Sequence, residues 1–331
     1  DADNGRVLYA EDQDDLWHPA SLTKIMTAYV TFEAIKAGKL TLETKIPYSE
    51  NASLQAPSKI GLPVGAEMSV ELALQALIIK SANDVAVMLA EAVGGSEQGF
   101  ATLMNATAKR LGMSRSNFVN PNGLPNAEQV TTARDLALLS RAAIRDFPEY
   151  ARFWTMADMR LGRRRLVSHN GLLRSFEGAD GLKTGFICDS GYNIVATATR
   201  DGRRLMAVVL GESSGRDRNM RAASLLEHGY QSQGWKQMFA VAMLESLPVA
   251  GATDVTNVRQ SVMKFECNGR RRARQPAVVA KARAKAKASR VAKGAKTEAA
   301  PAVAAQIQTG SVTPPAKSAA APAKKATTPA Q

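Results

Sequence analysis

Ser21 and Lys24 stand three residues apart where a helical pattern begins, and residues three apart share one face of a helix. A serine hydroxyl is a weak nucleophile until a base takes its proton. A lysine stripped of water, with a depressed pKa, can be that base. Two further motifs carry compatible chemistry. Ser81-Ala82-Asn83 offers a hydroxyl and a carboxamide in a tight connection between two helical segments. Lys183-Thr184-Gly185 places a cation and a hydroxyl on a strand, where Gly185 lets a ligand backbone approach closely.

The chain supplies its own controls for such short matches. Ser261-Val262-Met263-Lys264 also fits S-x-x-K, and both Ser49-Glu50-Asn51 and Ser168-His169-Asn170 fit S-x-N. A lone match reads equally well as a helix-capping serine near a solvated lysine. Order and context separate them. Only the set beginning at Ser21 runs S-x-x-K at a helix start after a Pro-Ala pair, S-x-N between helices, then K-T-G on a strand. A different decoy, Gly211-Glu212-Ser213-Ser214-Gly215, fits the G-x-S-x-G of α/β-hydrolases. That fold needs an acid and then a histidine further along, and here the only later histidine is His228, with Asp217 before it, both within one helix length of Ser213. The segment therefore reads as a turn.

The elements that must hold these motifs follow from periodicity. Arg6–Ala10 reads as a short strand. Ile25, Tyr29, Phe32 and Ile35 recur at helical steps over Ser21–Lys36, closed by Gly38. Ser69 caps a strongly apolar helix that reaches Lys80. Further helices are expected over about Asp84–Val93, Ser96–Leu111 and from Thr132 to just before Pro148. Leu182–Phe186, Tyr192–Ala198 and Leu205–Leu210 read as strands, the last two joined by a turn at Asp201–Gly202, and a helix at about Asp217–His228 closes the block. No internal repeat is present. The order predicts an α/β fold, an antiparallel sheet flanked by helices, with an all-helical subdomain.

The 331 residues carry a net charge of +13, which at first suggests a nucleic-acid partner. Its location argues otherwise. From Arg270 to the end there are 14 Lys and Arg against one acid, Glu298, whereas Asp1–Gly269 is electrically balanced. The Ala/Lys/Arg/Pro-rich tail has no aromatic residue for base stacking and too little apolar surface to offset ordering entropy. It is expected to be disordered, a solvated tether that can meet anionic polymers but no specific nucleic acid. No apolar run reaches transmembrane length. The three histidines are scattered and the two cysteines, Cys188 and Cys267, fit no metal spacing, so neither metal nor cofactor is expected. The chain starts at Asp1 without an initiator Met, which a removed signal peptide would fit.

With these motifs in place a resemblance becomes specific. H-P-A-S-L-T-K-I-M-T from His18, S-A-N-D from Ser81, N-P-N-G-L-P from Asn120, G-L-K-T-G-F from Gly181 and G-Y-N-I-V-A from Gly191 closely resemble the low-molecular-mass penicillin-binding D-alanyl-D-alanine carboxypeptidases. The match covers about residues 1–236. It implies a β-lactamase/transpeptidase-like catalytic domain at 1–236, a connecting segment at 237–269 that can pack on it, and the tail at 270–331. It also implies an exported, periplasmic or extracytoplasmic enzyme acting on peptidoglycan stem peptides and acylated by β-lactam antibiotics.

Residue by residue, the resemblance implies Ser21 as nucleophile and Lys24 as general base. Ser81 and Lys183 would relay the proton to the departing D-Ala, and Asn83 would hold the substrate amide or the lysine network. Thr184 and Arg218 would receive the terminal carboxylate, with Gly185 and Phe186 lining the strand and the backbone N–H groups of Ser21 and Phe186 receiving the oxyanion. Arg216 and Arg221 lie within reach of the same alignment as Arg218. Phe186 departs from relatives that carry histidine there, and no strands for a β-rich stalk follow Trp235. A D,D-endopeptidase would use the same motifs. A β-lactamase of this fold needs a base for deacylation, and Asn120–Leu124 lacks the E-x-x-x-N pattern of class A enzymes. In an exported chain Cys188 and Cys267 either pair, pinning the segment after residue 236 beside the site, or remain two buried thiols.

Overall fold

The computed structural model describes residues 1–232, 242–251, 254–258, 261–262 and 267. The chain divides into one unit at Asp1–Arg271 and a second at Arg272–Gln331. The second unit, the expected tail and residues 233–241 with Trp235 lie outside the described residues.

Ser21 lies in a 3-10 turn, Ala20–Leu22, that runs straight into helix α1 (Thr23–Lys36). The spacing of Ile25, Tyr29 and Phe32 predicts one apolar face, yet every residue from Thr23 to Phe32 is buried. A helix packed on all sides must satisfy its polar side chains internally. Thr27 donates its hydroxyl to the Pro121 carbonyl, and Thr31 donates to the Thr27 carbonyl. Strand β1 (Lys45–Pro47) and helix α2 (Glu50–Leu54) follow, and β1 pairs antiparallel with β2 (Glu67–Ser69). Ser69 caps α3 (Val70–Gln75) by accepting from the Leu72 N–H.

The expected single helix to Lys80 is interrupted. Ala76–Lys80 forms a π turn, after which Ser81 adopts a left-handed backbone (φ 60°) and α4 (Asn83–Gly94) begins. Helices α5 (Glu97–Arg110) and α6 (Ala133–Asp146) start at the serine and threonine caps Ser96 and Thr132. Helix α7 (Ala151–Thr155) then leads into a hairpin that periodicity had not revealed, β3 (Asp158–Leu161) with β4 (Arg164–Val167), and into α8 (Leu172–Ser175).

The sheet beside the nucleophile is antiparallel, in the order β5 (Ala179–Ile187), β6 (Gly191–Arg200), β7 (Arg203–Glu212). Asp201 and Gly202 both have positive φ, 49° and 74°, as the two-residue turn between β6 and β7 demands. Strand β6 is buried on both faces. Ile194, Ala196 and Ala198 pack with Ala222 and Leu226 of the closing helix α9 (Gly215–Gln231), while Val195 joins the larger core built around Leu22, Ile25 and Val85.

Beyond α9 the described pieces of chain run back over the domain as a strap. The Leu244 N–H donates to the Gly5 carbonyl, Arg134 donates to the carbonyls of Leu247 and Pro248, and the Thr256 N–H donates to the Leu16 carbonyl. Arg134 also forms an ion pair with Asp14 at 2.6 Å, both side chains almost fully buried. Of the expected strand at Arg6–Ala10, the described residues show one bridge, Arg6 with Met243, and a hydrogen bond from the Val7 N–H to the Ala242 carbonyl; the preceding stretch of the partner, 233–241, lies outside the described residues. A disulfide joins Cys188, just past β5, to Cys267.

Candidate active site

The helix places Lys24 under Ser21, its Nζ 3.0 Å from the serine Oγ. The same Nζ donates to Asn83 Oδ1 at 2.7 Å and to the Asn122 carbonyl at 2.5 Å. Lys24 has no exposed surface. Burial first, and then the charge of Lys183, hold its ammonium well below the ordinary lysine range, while Asp84 acts in the opposite direction. Asn83 is fixed in turn, its amide donating to the Ala56 carbonyl and its backbone N–H to the Ser58 carbonyl.

Strand β5 brings the third motif to the same place. Lys183 Nζ donates to Ser81 Oγ at 2.9 Å and to the Thr184 carbonyl at 3.0 Å. Its pKa is lowered to about 7, by burial and then by the charge of Arg218. Gly185 has a steric reason to be glycine. A Cβ there would stand 2.9 Å from the Pro19 carbonyl oxygen and 3.0 Å from the Ser21 nitrogen. The β5 backbone therefore lies directly against the amide of the candidate nucleophile. Phe186 follows with its ring tilted by 32° against that of Tyr192, the centroids 4.2 Å apart. Ala20 and Ser81, both beside reactive groups, hold positive φ of 48° and 60°, the kind of backbone strain that persists where surrounding structure over-determines it.

Of the three arginines that the alignment left open, Arg218 is buried and its charge reaches Lys183; it donates to Asn219 Oδ1 and to the His169 carbonyl. Arg216 is exposed, and Arg221 pairs with Glu11. Thr184 is buried on β5 next to Lys183. The structure thus gathers Ser21, Lys24, Ser81, Asn83, Lys183 and Gly185 by direct contact, and Arg218 through its field on Lys183.

The decoys have ordinary duties. Ser49 caps α2, and Ser168 Oγ accepts from the Asn170 N–H in a turn. Ser213 and Ser214 both donate to Asp217 at the start of α9, so the G-x-S-x-G match is a helix cap. Lys264 of the second S-x-x-K lies outside the described residues.

Three contributors escape a search for reactive side chains. Asn122 offers Lys24 its backbone carbonyl, in a turn where Gly123 (φ 80°) passes so near Ala20 that a Cβ would sit 1.8 Å from its oxygen. Asn193 of β6 donates to the His18 carbonyl and accepts from the Gly211 N–H, bracing the turn that carries Ser21. Both lie in stretches singled out by resemblance, the one signal that pointed to them. His169, dismissed as part of a decoy, has an imidazole pushed down to about 4 by loss of hydration and by the charges of Lys183, Lys80 and Arg218, although the residue is exposed at the rim. Among the described residues no cluster of three or more His, Cys, Asp or Glu is placed to hold a metal ion. A cavity of about 180 Å³ between the N-terminal segment, β7, α6 and α9 contains none of the candidate residues.

Comparison with known proteins bears on this arrangement. A family model described as D-alanyl-D-alanine carboxypeptidase matches residues 1–214. The chain is 38% identical over 235 residues to the D-alanyl-D-alanine carboxypeptidase DacC of Escherichia coli (strain K12), covering 69% of this chain and 59% of the relative. It is 33% identical over 243 residues to DacF of Bacillus subtilis (strain 168), covering 69% and 60%. The chain therefore spans about three fifths of the length of these curated relatives. Among solved structures, penicillin-binding protein D2 from Listeria monocytogenes in its ampicillin-bound form is similar, with a TM-score of 0.61 at 33% identity over 69% of this chain and 93% of that one. The carboxypeptidase DacD from Francisella tularensis gives a TM-score of 0.67 at 34% identity over 70% and 68%.

Proposed function

This chain belongs to the D-alanyl-D-alanine carboxypeptidase family and has the α/β fold of its penicillin-binding relatives, and from that premise we propose that it removes the terminal D-Ala of peptidoglycan pentapeptides through an acyl-enzyme on Ser21. The observation that carries the reading is the buried Lys24 in contact with Ser21. A neutral amine has two hydrogens and one lone pair. Asn83 Oδ1 and the Asn122 carbonyl engage the two hydrogens, so the lone pair is left for the Ser21 hydroxyl.

Ser21 Oγ then adds to the carbonyl carbon of the penultimate D-Ala while its proton passes to Lys24. The backbone N–H groups of Ser21 and Phe186 receive the oxyanion, a role that Gly185 supports by letting β5 lie against the Ser21 amide. The C–N bond breaks as a proton reaches the departing D-Ala amine through Lys183 and Ser81. Thr184 and Arg218 receive the leaving carboxylate, and water hydrolyses the ester to restore Ser21. A β-lactam forms the corresponding ester, which persists because Asn120–Leu124 offers no carboxylate to activate water.

On this reading residues 1–236 are the catalytic domain, 237–269 connect, and 270–331 form a basic tether that contacts anionic envelope polymers outside the cytoplasm. Mass spectrometry after incubation with labelled penicillin tests it. One adduct on the Ser21 peptide is expected, lost in Ser21→Ala and retained in Ser213→Ala. Labelling that survives Ser21→Ala overturns the assignment.

A further inference from the structure

The β3–β4 hairpin is short, four residues a side, and its inward pair is Met159 opposite Leu166, both buried in the main core. Its outward face carries Arg160 directly opposite Arg165, Arg163 stands at the two-residue turn, and Arg164, opposite Leu161, lies on the inward side at the hairpin's end; all four arginines are exposed. Like charges placed opposite each other on neighbouring strands oppose pairing. One acid answers them: Asp158 pairs with Arg165 at 2.6 Å, and the charges of Arg165, Arg160 and Arg174 hold its carboxyl below the usual range. Among the described residues Arg160, Arg163, Arg164 and Arg174 form no ion pair. The hairpin thus carries a positive excess that the fold leaves unanswered.

Its position gives that charge a purpose. Arg164 Nη1 approaches the Ile60 carbonyl at 3.4 Å, and both strands pack against the π turn that ends at Ser81. The loop it touches holds the site from the same side: the Ser58 carbonyl accepts from the Asn83 N–H at 2.7 Å, the Ala56 carbonyl from the Asn83 amide at 2.9 Å, and Ser58 Oγ donates to the Lys80 carbonyl at 2.9 Å. One loop therefore separates Arg164 from the side chain that orients Lys24.

We infer that the β3–β4 hairpin is an anion subsite, in which Arg160, Arg163 and Arg164 recognise free carboxylates carried by the acyl-donor peptide upstream of its D-Ala-D-Ala end. The inference deepens the carboxypeptidase reading and rests on it. Arginine suits the task because its guanidinium is always charged and meets carboxylates through two parallel N–H bonds. A lipid surface also attracts exposed arginines. The contact with the loop under Asn83 favours a ligand already seated at Ser21.

Two soluble peptides ending in D-Ala-D-Ala test it, one with a side-chain carboxylate on the preceding residue and the other with the corresponding amide. The full chain is expected to favour the carboxylate in kcat/KM by about tenfold, the effect of one charge-assisted contact. The Arg160→Gln/Arg163→Gln/Arg164→Gln variant should bring that ratio near one, and the lysine triple variant should restore part of it. The preference should shrink as salt screens exposed charge. Absence of preference in the parent, or an unchanged ratio in the glutamine variant, overturns the inference. So does a variant whose ratio is unaltered but whose binding to vesicles containing anionic lipid is lost, which assigns the hairpin to a membrane. Penicillin labelling of the parent keeps the two levels distinct: a labelled parent without preference sinks the subsite alone, and an unlabelled parent sinks the carboxypeptidase reading with it.

Discussion

Lys24 and Lys183 are both buried and near enough for one charge to act on the other, and in the proposed mechanism each has a task that depends on its proton. The charge of Lys183 helps to hold Lys24 in its neutral form. Removing that charge should raise the Lys24 pKa, so the neutral base appears only at higher pH. Lys183→Met is therefore expected to slow penicillin acylation near neutrality and to move the acid limb of its pH profile upward, with partial recovery in alkali. A rate–pH curve of unchanged shape and lower height would show that Lys183 acts only on the leaving group. At this scale the sequence was informative wherever a side chain makes the contact, as with Ser21, Lys24 and Lys183. It was silent on Asn122, which serves Lys24 through a backbone carbonyl that any residue possesses.

The elements matter because they fix distances that motifs only imply. Strand β5 meets the Ser21 turn through Gly185, with no room for a methyl group between them. Gly185→Ala must push apart two backbones, and a displacement near 1 Å costs on the order of 100-fold in rate. Acylation by penicillin should fall by that amount while the melting temperature changes little; an unaffected rate would mean that the two backbones separate without consequence. Sequence patterns located most helices and all three strands of the main sheet because caps and apolar periods mark them: Ser69, Ser96, Thr132 and Ser214 each accept a backbone N–H at a helix start. They missed the β3–β4 hairpin, whose many arginines read as loop, with Met159 and Leu166 too isolated to show a period. They also missed the π turn, since Leu77–Ile79 is equally apolar in either kind of helix.

Over the whole molecule, stability and reach come from parts far from Ser21. The Arg134 guanidinium joins the Asp14 carboxylate to the carbonyls of Leu247 and Pro248 on the returning strap. Arg134→Met leaves the Asp14 carboxylate buried without its partner, a loss of about 3–5 kcal/mol. Chemical denaturation should register it as a lower midpoint, and a shift within error would place Asp14 in contact with water. Deleting 270–331 should leave turnover of a soluble diacetyl-Lys-D-Ala-D-Ala peptide intact while weakening retention on sacculi at low salt. Both forms should converge as salt shortens the screening distance to about 8 Å and below. Equal retention at every salt concentration would make the tail a spacer only. The bond between Cys188 and Cys267, separated by 79 positions in the chain, closes β6, β7, α9 and the strap into a covalent ring. A ring differs from an open chain in one respect: a single cut does not divide it. A protease that nicks the backbone anywhere between those cysteines leaves Ser21 and every residue beyond Cys267 in one molecule. The nicked enzyme should migrate as one band until a thiol reductant parts it into two.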